Sequence, residues 1–270
     1  MATSSSARRP IGIFDSGIGG LTVAHALAQQ LPNEELIYFG DTAHMPYGER
    51  SADAIRYYSL RIVKFLLDKN CKMIVIACNS ASTAAYQVLL DFFHEQALFV
   101  NVVDPLVERV AGEQFHKVGI IATKVTIRSG IYEQQLRSLQ PDLRIHALAT
   151  PLLAPMIEEG YIHNNLSQAV ISQYLSDPGF GDIDALLLAC THYPLIRSDI
   201  EAFFSGSVRV FDSTDVVAQQ VRNRLARYEL LSDQRRHAHR FYVSDYTPSF
   251  AETTQLFYGE KIKLEHFPIW

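Results

Sequence analysis

The sequence predicts an α/β protein made of two similar units with mainly parallel sheets, related by a pseudo-twofold axis. Short apolar runs alternate with segments of helical periodicity, and continuous apolar runs are typical of strands buried on both faces of a parallel sheet. The pattern of strands also restarts near residue 106, which indicates a duplicated unit. Ligands bind at the carboxyl ends of strands in such sheets, so we expect the active site in the cleft between the units.

The first unit alternates apolar strands with amphipathic helices. Each strand is a short run rich in Ile, Val, Leu and Phe, and each helix shows apolar residues three or four positions apart. The predicted strands are Ile11–Phe14, Glu35–Phe39, Met73–Ala77 and Leu98–Val103, and the helices between them are Leu21–Leu31, Arg56–Asp68 and Ala81–His94.

The second unit repeats this pattern. Its third predicted strand, Ala185–Thr191, resembles Ile74–Ser80, and its fourth, Val208–Thr214, resembles Ile11–Gly17. An Ala-Cys pair therefore ends one strand in each unit and brings one thiol to each side of the cleft. The four predicted strands of this unit are Lys117–Thr123, Arg144–Ala149, Ala185–Thr191 and Val208–Thr214.

The tail after Val216 continues the α/β pattern. It is helical to about Leu231, then strand-like at His239–Val243, helical at Pro248–Tyr258 and strand-like at Lys261–His266. We expect the tail to pack on the first unit. The predicted domains are therefore residues 1–103 plus 214–270, which form a discontinuous domain, and residues 104–213.

The composition excludes several classes of protein. The net charge is −5 and the pI about 6.0, so no overall basic field exists to attract nucleic acid or an anionic membrane. No apolar run approaches the ~20 residues of a membrane-spanning helix, and no signal-peptide core follows the opening residues. The three cysteines form no Cys-x-x-Cys pair, so neither a disulfide framework nor a metal site is expected. These features predict a cytoplasmic protein that binds neither nucleic acid nor membranes.

Cys78 lies where a buried strand gives way to a helix. The polar residues Asn79 and Ser80 follow it, and such residues accept hydrogen bonds from free amides at helix starts. The positive end of the helix is expected to lower the pKa of the Cys78 thiol and favour the thiolate. A buried, inert cysteine is the alternative, because unpaired cysteines are among the most buried residues.

Cys190 ends the equivalent strand and is followed by Thr191, His192, Tyr193 and Pro194. Polar residues directly after a buried strand are typical of a loop that forms a site. His192 lies two positions from the thiol, which favours a functional role over that of a simple turn residue. Cys71 has no such surroundings and is predicted to be structural.

A glycine-rich loop, residues 15–20, follows the first strand. It lacks the glycine spacing of a dinucleotide site and the Gly-Lys-Ser/Thr of a phosphate loop. Its amides are suited to holding a small carboxylate. Asp15, at the strand end, is either a turn residue or a carboxylate of the cleft.

Together these segments resemble the glutamate racemases of the aspartate/glutamate racemase superfamily. The resemblance depends on five motifs, which fall in the family's order across the first 200 residues. It departs at one position, because the family most often has Cys-Asn-Thr where this chain has Cys78-Asn79-Ser80. The motifs are IFDSGIGGLTV (13–23), GDTAHMPYG (40–48), IACNSAS (76–82), PMIEEG (155–160) and LLLACTHYPL (186–195).

The resemblance implies a role for each matching residue. Cys78 would remove the α-proton of D-glutamate and Cys190 that of L-glutamate. Asp15 would assist Cys78, while His192 and Glu158 would assist Cys190. It also implies a homodimer that supplies D-glutamate for peptidoglycan and shapes the cell wall. The residues that would line the substrate are Asp15, Ser16, Pro46, Tyr47, Gly48, Asn79, Ser80, Thr123, Thr191 and His192.

No cofactor is expected, because no lysine has a convincing pyridoxal phosphate motif around it. Preorganised amides and hydroxyls would then have to stabilise the carbanion. Three alternatives remain open from the sequence. They are a racemase of aspartate or a related acid, a hydrolase that uses a cysteine nucleophile with His192 as base, and a non-catalytic module that binds carboxylates.

Overall fold

The computed structural model describes residues 4–270, apart from the side chains of residues 4, 5, 248, 249, 251 and 252. Its ten strands are β1 (Ile11–Asp15), β2 (Leu36–Gly40), β3 (Met73–Ile76), β4 (Leu98–Asn101), β5 (Lys117–Ala122), β6 (Arg144–Ala149), β7 (Ala185–Ala189), β8 (Arg209–Asp212), β9 (Arg240–Val243) and β10 (Leu264–His266).

Helices connect these strands throughout. They are α1 (Ser4–Ala7), α2 (Leu21–Gln30), α3 (Ala52–Asp68), α4 (Asn79–Phe93), α5 (Asp104–Ala111), α6 (Lys124–Ser129), α7 (Ile131–Leu139), α8 (Leu153–Glu158), α9 (Asn165–Leu175), α10 (Arg197–Phe203), α11 (Thr214–Arg227) and α12 (Pro248–Tyr258). Short 3₁₀ turns lie at Tyr47–Glu49, Pro178–Phe180 and Tyr193–Ile196. None of the helices in the described part of the chain has the length and apolar character needed to cross a membrane.

The strands form two sheets in which every pairing is parallel. The first sheet has the order β10-β9-β2-β1-β3-β4, and the second has the order β6-β5-β7-β8. The predicted α/β class with two parallel sheets is therefore confirmed. The tail strands β9 and β10 extend the first sheet beyond β2. The exact division into domains at residues 103 and 213 stays a prediction.

The order β2-β1-β3-β4 in one sheet corresponds to β6-β5-β7-β8 in the other. In this correspondence β7 matches β3, so Cys78 and Cys190 follow equivalent strands. The last strand, β8, matches the edge strand β4 rather than β1. The resemblance between Val208–Thr214 and Ile11–Gly17 was thus a misleading signal, because short apolar strands resemble one another whatever their position.

Burial explains the apolar character of the central strands. Every residue of β1, β2, β3 and β7 is buried. One hydrophobic cluster contains residues from both sheets, including Ile13 of β1 and Leu188 of β7. This cluster therefore spans both sheets, while a second cluster lies on the first sheet and a third on the second sheet.

Two helices begin earlier than predicted. α3 begins at Ala52 because the Ser51 side chain caps it and accepts a hydrogen bond from the Ala54 amide. α4 begins at Asn79, and its N-cap is Cys78 itself, whose sulfur accepts a hydrogen bond from the Ala81 amide. The cap of α4 is therefore a thiol, not the Asn79 or Ser80 side chain that the sequence suggested.

Candidate active site

The two predicted catalytic thiols occupy matching places at the ends of β3 and β7. Each follows an alanine that comes directly after, or ends, a central strand. Cys78 is 5% exposed and Cys190 is 6% exposed. Both thiols are therefore held in closed, water-poor surroundings at the carboxyl ends of parallel strands.

Cys78 is held in its thiol form. Burial raises the pKa of Cys78 well above its usual range, and the negative charge of Asp15 raises it further. Hydrogen bonds from Ala81 and Ser16 lower the pKa but do not compensate. The expectation that the helix start would lower this pKa was therefore wrong. The hydrogen bond from the Ala81 amide, at 3.4 Å from Sγ, and those from Ser16 do not offset the loss of water and the neighbouring carboxylate.

The Asp15 carboxylate is bound by amides of the glycine-rich loop. Its Oδ2 accepts hydrogen bonds from the amides of Gly17, at 3.2 Å, and Gly20, at 2.9 Å. The loop thus binds its own carboxylate, and these two amides are not free for a substrate anion as the sequence suggested. Asp15 is fully buried, and burial raises its pKa despite the opposing charge of His192 and the loop amides. Its Oδ1 has no partner among the described residues.

Cys190 has different neighbours. Its Sγ lies 3.7 Å from Nδ1 of His192, and Nε2 of His192 lies 2.7 Å from Oε1 of Glu158. Burial lowers the pKa of His192, but the hydrogen bonds and charges of Cys190 and Glu158 outweigh burial and leave it well above the usual value. The adjacent Glu159 side chain is exposed and takes no part. The chain Cys190–His192–Glu158 is therefore arranged to hold a proton on the imidazole.

The glycine-rich loop, which holds Asp15 near Cys78, also contacts the residues that follow Cys190. A Cβ atom on Gly19 would lie 2.3 Å from Cε1 of His192 and 2.8 Å from Oγ1 of Thr191, so only glycine fits there. The Thr22 hydroxyl donates to the Thr191 carbonyl at 3.1 Å. The loop after β1 consequently packs directly on the turn after β7, and the charge of His192 is felt at Asp15.

A second set of contacts between the two halves of the chain involves Ser80, Thr123 and Gly48. The hydroxyls of Ser80 and Thr123 lie 2.9 Å apart. Gly48 packs so closely on Thr123 that a Cβ atom would lie 2.8 Å from its Cβ. Ser80 follows β3, Thr123 follows β5 and Gly48 lies in the 3₁₀ turn after β2, so this part of the predicted substrate site is also assembled from both sheets.

The sequence missed Tyr132, which lies on α7 and has no motif around it. Its hydroxyl donates to Oδ1 of Asn79 at 2.5 Å, and both residues are buried. The Nδ2 atom of Asn79 is buried and has no acceptor within the described part of the protein. A donor directly after Cys78 is therefore free to meet a ligand.

In the 40–48 turn, the predicted substrate residues Pro46 and Tyr47 do not offer a free polar side-chain atom. The Tyr47 hydroxyl donates to Oδ2 of Asp41 at 2.6 Å, so its polar atom is used within the protein. Pro46 follows a cis peptide bond and is exposed. Asp41, which the sequence also missed, accepts further hydrogen bonds from Ser244 and Trp270. The buried Asp41 carboxylate thus shapes the turn that presents Gly48.

The site has the groups needed to move a proton but no evident metal-binding cluster. Within the described residues, no three His, Cys, Asp or Glu side chains are grouped so as to hold a metal ion. Cys71, the remaining cysteine, is fully buried, and burial raises its pKa to about 12. Cys78 and Cys190 thus differ from each other in their charged neighbours, Asp15 for the first and His192 for the second.

Comparison with known proteins gives consistent matches. Residues 18–221 match the family model described as Asp/Glu/Hydantoin racemase. The chain is 38% identical over 262 residues to the glutamate racemase of Streptococcus pneumoniae (strain Hungary19A-6), an alignment that covers 96% of this chain and 98% of that protein.

Two solved structures are similar over nearly the whole length. The glutamate racemase of Francisella tularensis in complex with D-glutamate has a TM-score of 0.92 and 34% identity, covering 97% of this chain and 98% of that one. The glutamate racemase of Thermus thermophilus in complex with beta-chloro-D-alanine has a TM-score of 0.87 and 36% identity, covering 97% of each chain.

Proposed function

The chain belongs to the Asp/Glu/Hydantoin racemase family, and we propose that it interconverts L- and D-glutamate without a cofactor, with Cys78 and Cys190 as the two bases. The enzyme is an isomerase that acts on glutamate. The observation that supports the two-base assignment is the contrast between its thiols. Cys78 lies beside a carboxylate and stays protonated, while Cys190 lies beside an imidazole able to hold its proton.

This contrast defines the resting state for one direction of the reaction. With L-glutamate bound, the Cys190 thiolate removes the α-proton and the Cys78 thiol donates a proton to the opposite face of Cα. The S–H bond of Cys190 and the new Cα–H bond form as the old Cα–H bond and the S–H bond of Cys78 break. With D-glutamate the two cysteines exchange roles. No net proton is gained or lost, because each turnover leaves one thiol and one thiolate.

Assisting residues prepare each thiol for its role. His192, hydrogen-bonded to Glu158, takes up the proton of Cys190 between turnovers. Asp15 favours the protonated form of Cys78 before L-glutamate binds. We propose that its Oδ1, which has no partner among the described residues, accepts a hydrogen bond from the α-ammonium group. The negative charge that develops on the substrate is stabilised by preorganised donors in a closed site.

The polar groups of the cleft supply these donors. We assign the free Nδ2 of Asn79 and the hydroxyls of Ser80, Thr123 and Thr191 to the substrate carboxylates. Ser16 beside Cys78 and the turn residues Pro46, Tyr47 and Gly48 complete the wall. In Tyr47 it is the ring rather than the hydroxyl that is available, since the hydroxyl donates to Asp41.

The cellular role follows from the product. We propose that the enzyme supplies D-glutamate for peptidoglycan synthesis in the cytoplasm and acts as a homodimer. The direct test of the activity incubates the purified protein with L-glutamate or L-aspartate, without added cofactor, and follows optical activity. Loss of optical activity with glutamate supports the proposal. Faster racemisation of aspartate would assign the chain a different substrate, and turnover that depends on pyridoxal phosphate would contradict the mechanism.

A further inference from the structure

We propose that Tyr132 is a positioning residue that fixes the amide of Asn79, so that the Nδ2 of Asn79 faces the substrate carboxylate. Tyr132 belongs to α7, in the half of the chain that carries Cys190, whereas Asn79 follows Cys78 directly. Tyr132 therefore links the second half of the chain to the substrate contacts beside the first thiol.

The contact is short and enclosed. The Tyr132 hydroxyl lies 2.5 Å from Oδ1 of Asn79, Tyr132 is 3% exposed and Asn79 is 3% exposed. Water is not available to replace this hydrogen bond. A phenol O–H that donates to Asn79 must face the amide oxygen, so the NH₂ group is turned the other way. The unpartnered Nδ2 is the result of this orientation.

The unpartnered donor identifies the ligand chemistry. A buried N–H group without an acceptor costs free energy and is rare in native proteins, so it calls for an explanation, and an acceptor on a bound ligand is one that fits a donor beside Cys78. Without the Tyr132 hydroxyl, the amide of Asn79 can rotate and present its oxygen to the substrate. An amide oxygen facing a carboxylate is repulsive, so Asn79 would then weaken binding rather than support it.

Only the choice of a carboxylate as ligand rests on the proposed function. Tyr132 also lies close enough to Cys190 for the charge of that thiol to raise its pKa. If the Tyr132 hydroxyl had a purely structural role, removing it would have the same effect whether or not Asn79 is present. A positioning role requires that the effect of the hydroxyl disappear when the Asn79 amide is removed.

A double-mutant cycle separates these two roles. The variants are Tyr132→Phe, Asn79→Ala and the double variant, and kcat/KM for D-glutamate and L-glutamate is measured for each. We expect Tyr132→Phe to lose about tenfold in kcat/KM, as for a hydrogen bond that orients a group on a charged ligand. The double variant should match Asn79→Ala within about twofold.

Tyr86→Phe is the matched control, because Tyr86 also hydrogen-bonds an asparagine, Asn101, but outside the site. It should keep wild-type kcat/KM. Losses that multiply in the double variant, or wild-type kcat/KM in Tyr132→Phe, would overturn the proposal. Far-ultraviolet circular dichroism confirms folding of every variant.

If the wild-type protein has no racemase activity, the proposed function is contradicted. The same four proteins then test the role of Tyr132 through ligand binding. In that case the dissociation constant of D-glutamate, measured by calorimetry, replaces kcat/KM. Equal affinity in Tyr132→Phe and wild type would then overturn the role of Tyr132. Weaker binding by Tyr132→Phe would support it, provided that the double variant binds D-glutamate as well as Asn79→Ala does.

Discussion

At the residue scale, the two thiols that we propose as bases have different neighbours. Cys78 lies beside the buried carboxylate of Asp15, and this charge together with burial raises its pKa. Cys190 lies 3.7 Å from the imidazole of His192. For L-glutamate, the proposed mechanism therefore uses Cys78 as the proton donor and Cys190 as the base, and the two roles exchange for D-glutamate.

Replacing either thiol should stop inversion without unfolding the protein. Cys78→Ser and Cys190→Ser are each expected to lower kcat by at least ~10²-fold, because a serine hydroxyl is a far weaker acid than a thiol and is not ionised at neutral pH. Circular dichroism of L-glutamate solutions measures the rate. Cys71→Ser is the control and should retain activity, since Cys71 is buried away from the site against Gly12. Near-normal turnover in either catalytic variant would refute the assignment.

The charge of Glu158 should set the pH range of the enzyme. In Glu158→Gln the hydrogen bond to His192 remains but the negative charge is lost, so the pKa of His192 falls. The alkaline limb of kcat/KM for L-glutamate should therefore move to lower pH, with a loss of about tenfold or more at pH 8. Glu159→Gln, at the exposed neighbouring position, should leave the profile unchanged. Identical profiles for both variants would contradict this role of Glu158.

The same raised pKa affects stability. A histidine whose pKa is higher in the folded state stabilises the fold fully below its unfolded value, about 6.5, and this contribution is lost as the pH rises through the folded value. The difference in melting temperature between wild type and Glu158→Gln should therefore be larger at pH 6 than at high pH. A difference that grows with pH would have the wrong sign.

At the scale of elements, the loop between β1 and α2 joins the two catalytic sides. Its glycines are required by contact rather than by a bound anion, because the loop amides of Gly17 and Gly20 hold Asp15. Gly19 packs against His192, and Thr22 binds the carbonyl of Thr191. The position of His192 therefore depends on an element that begins more than 160 residues earlier in the chain.

Gly19→Ala tests this dependence. The added methyl group would lie 2.3 Å from Cε1 of His192, which must move although it is buried. We expect a loss of about 10² in kcat/KM with a folded protein, because small displacements of catalytic groups are costly. Gly112→Ala is the matched control, since its added methyl group meets no atom closer than 3.5 Å. Wild-type activity in Gly19→Ala would show that the packing does not position His192.

Local patterns predicted the elements well and the electrostatics poorly. The central strands were found within about two residues, because a strand buried on both faces is apolar throughout. The pKa of Cys78 was predicted in the wrong direction, since Asp15 is distant in sequence and its effect depends on the fold. Tyr132 was missed for the same reason, as its partner Asn79 lies in the other half of the chain.

At the scale of the whole molecule, a buried ion pair ties distant segments to the first sheet. Nζ of Lys72 lies 2.6 Å from Oε2 of Glu34 and 2.8 Å from the carbonyl of Leu230, and it also binds the carbonyl of Ala7. Both side chains are almost fully buried. Oε1 of Glu34 in turn accepts from the amide of Ser232. The Lys72–Glu34 pair thus contacts both the segment before β1 and the segment after α11.

Lys72→Met should destabilise the protein strongly. The substitution leaves the Glu34 carboxylate buried without its partner, which costs about 3–5 kcal/mol of unfolding free energy. Glu34→Gln in the same chain removes the unpaired charge and keeps an acceptor for Ser232, so the double variant should recover at least half of the loss. Urea unfolding monitored by fluorescence measures both. A double variant less stable than Lys72→Met would contradict this reading of the pair.

The central claim is that two different thiols act on opposite faces of one α-carbon. It is tested most directly by incubating the enzyme with L-glutamate in deuterium oxide and analysing both enantiomers at low conversion. The account predicts D-glutamate that carries deuterium at Cα in every molecule, while the recovered L-glutamate keeps its hydrogen, because the Cys78 thiol delivers solvent-derived deuterium and Cys190 retains the abstracted proton. D-glutamate that retains the original hydrogen would mean that one base serves both faces, and would contradict the account.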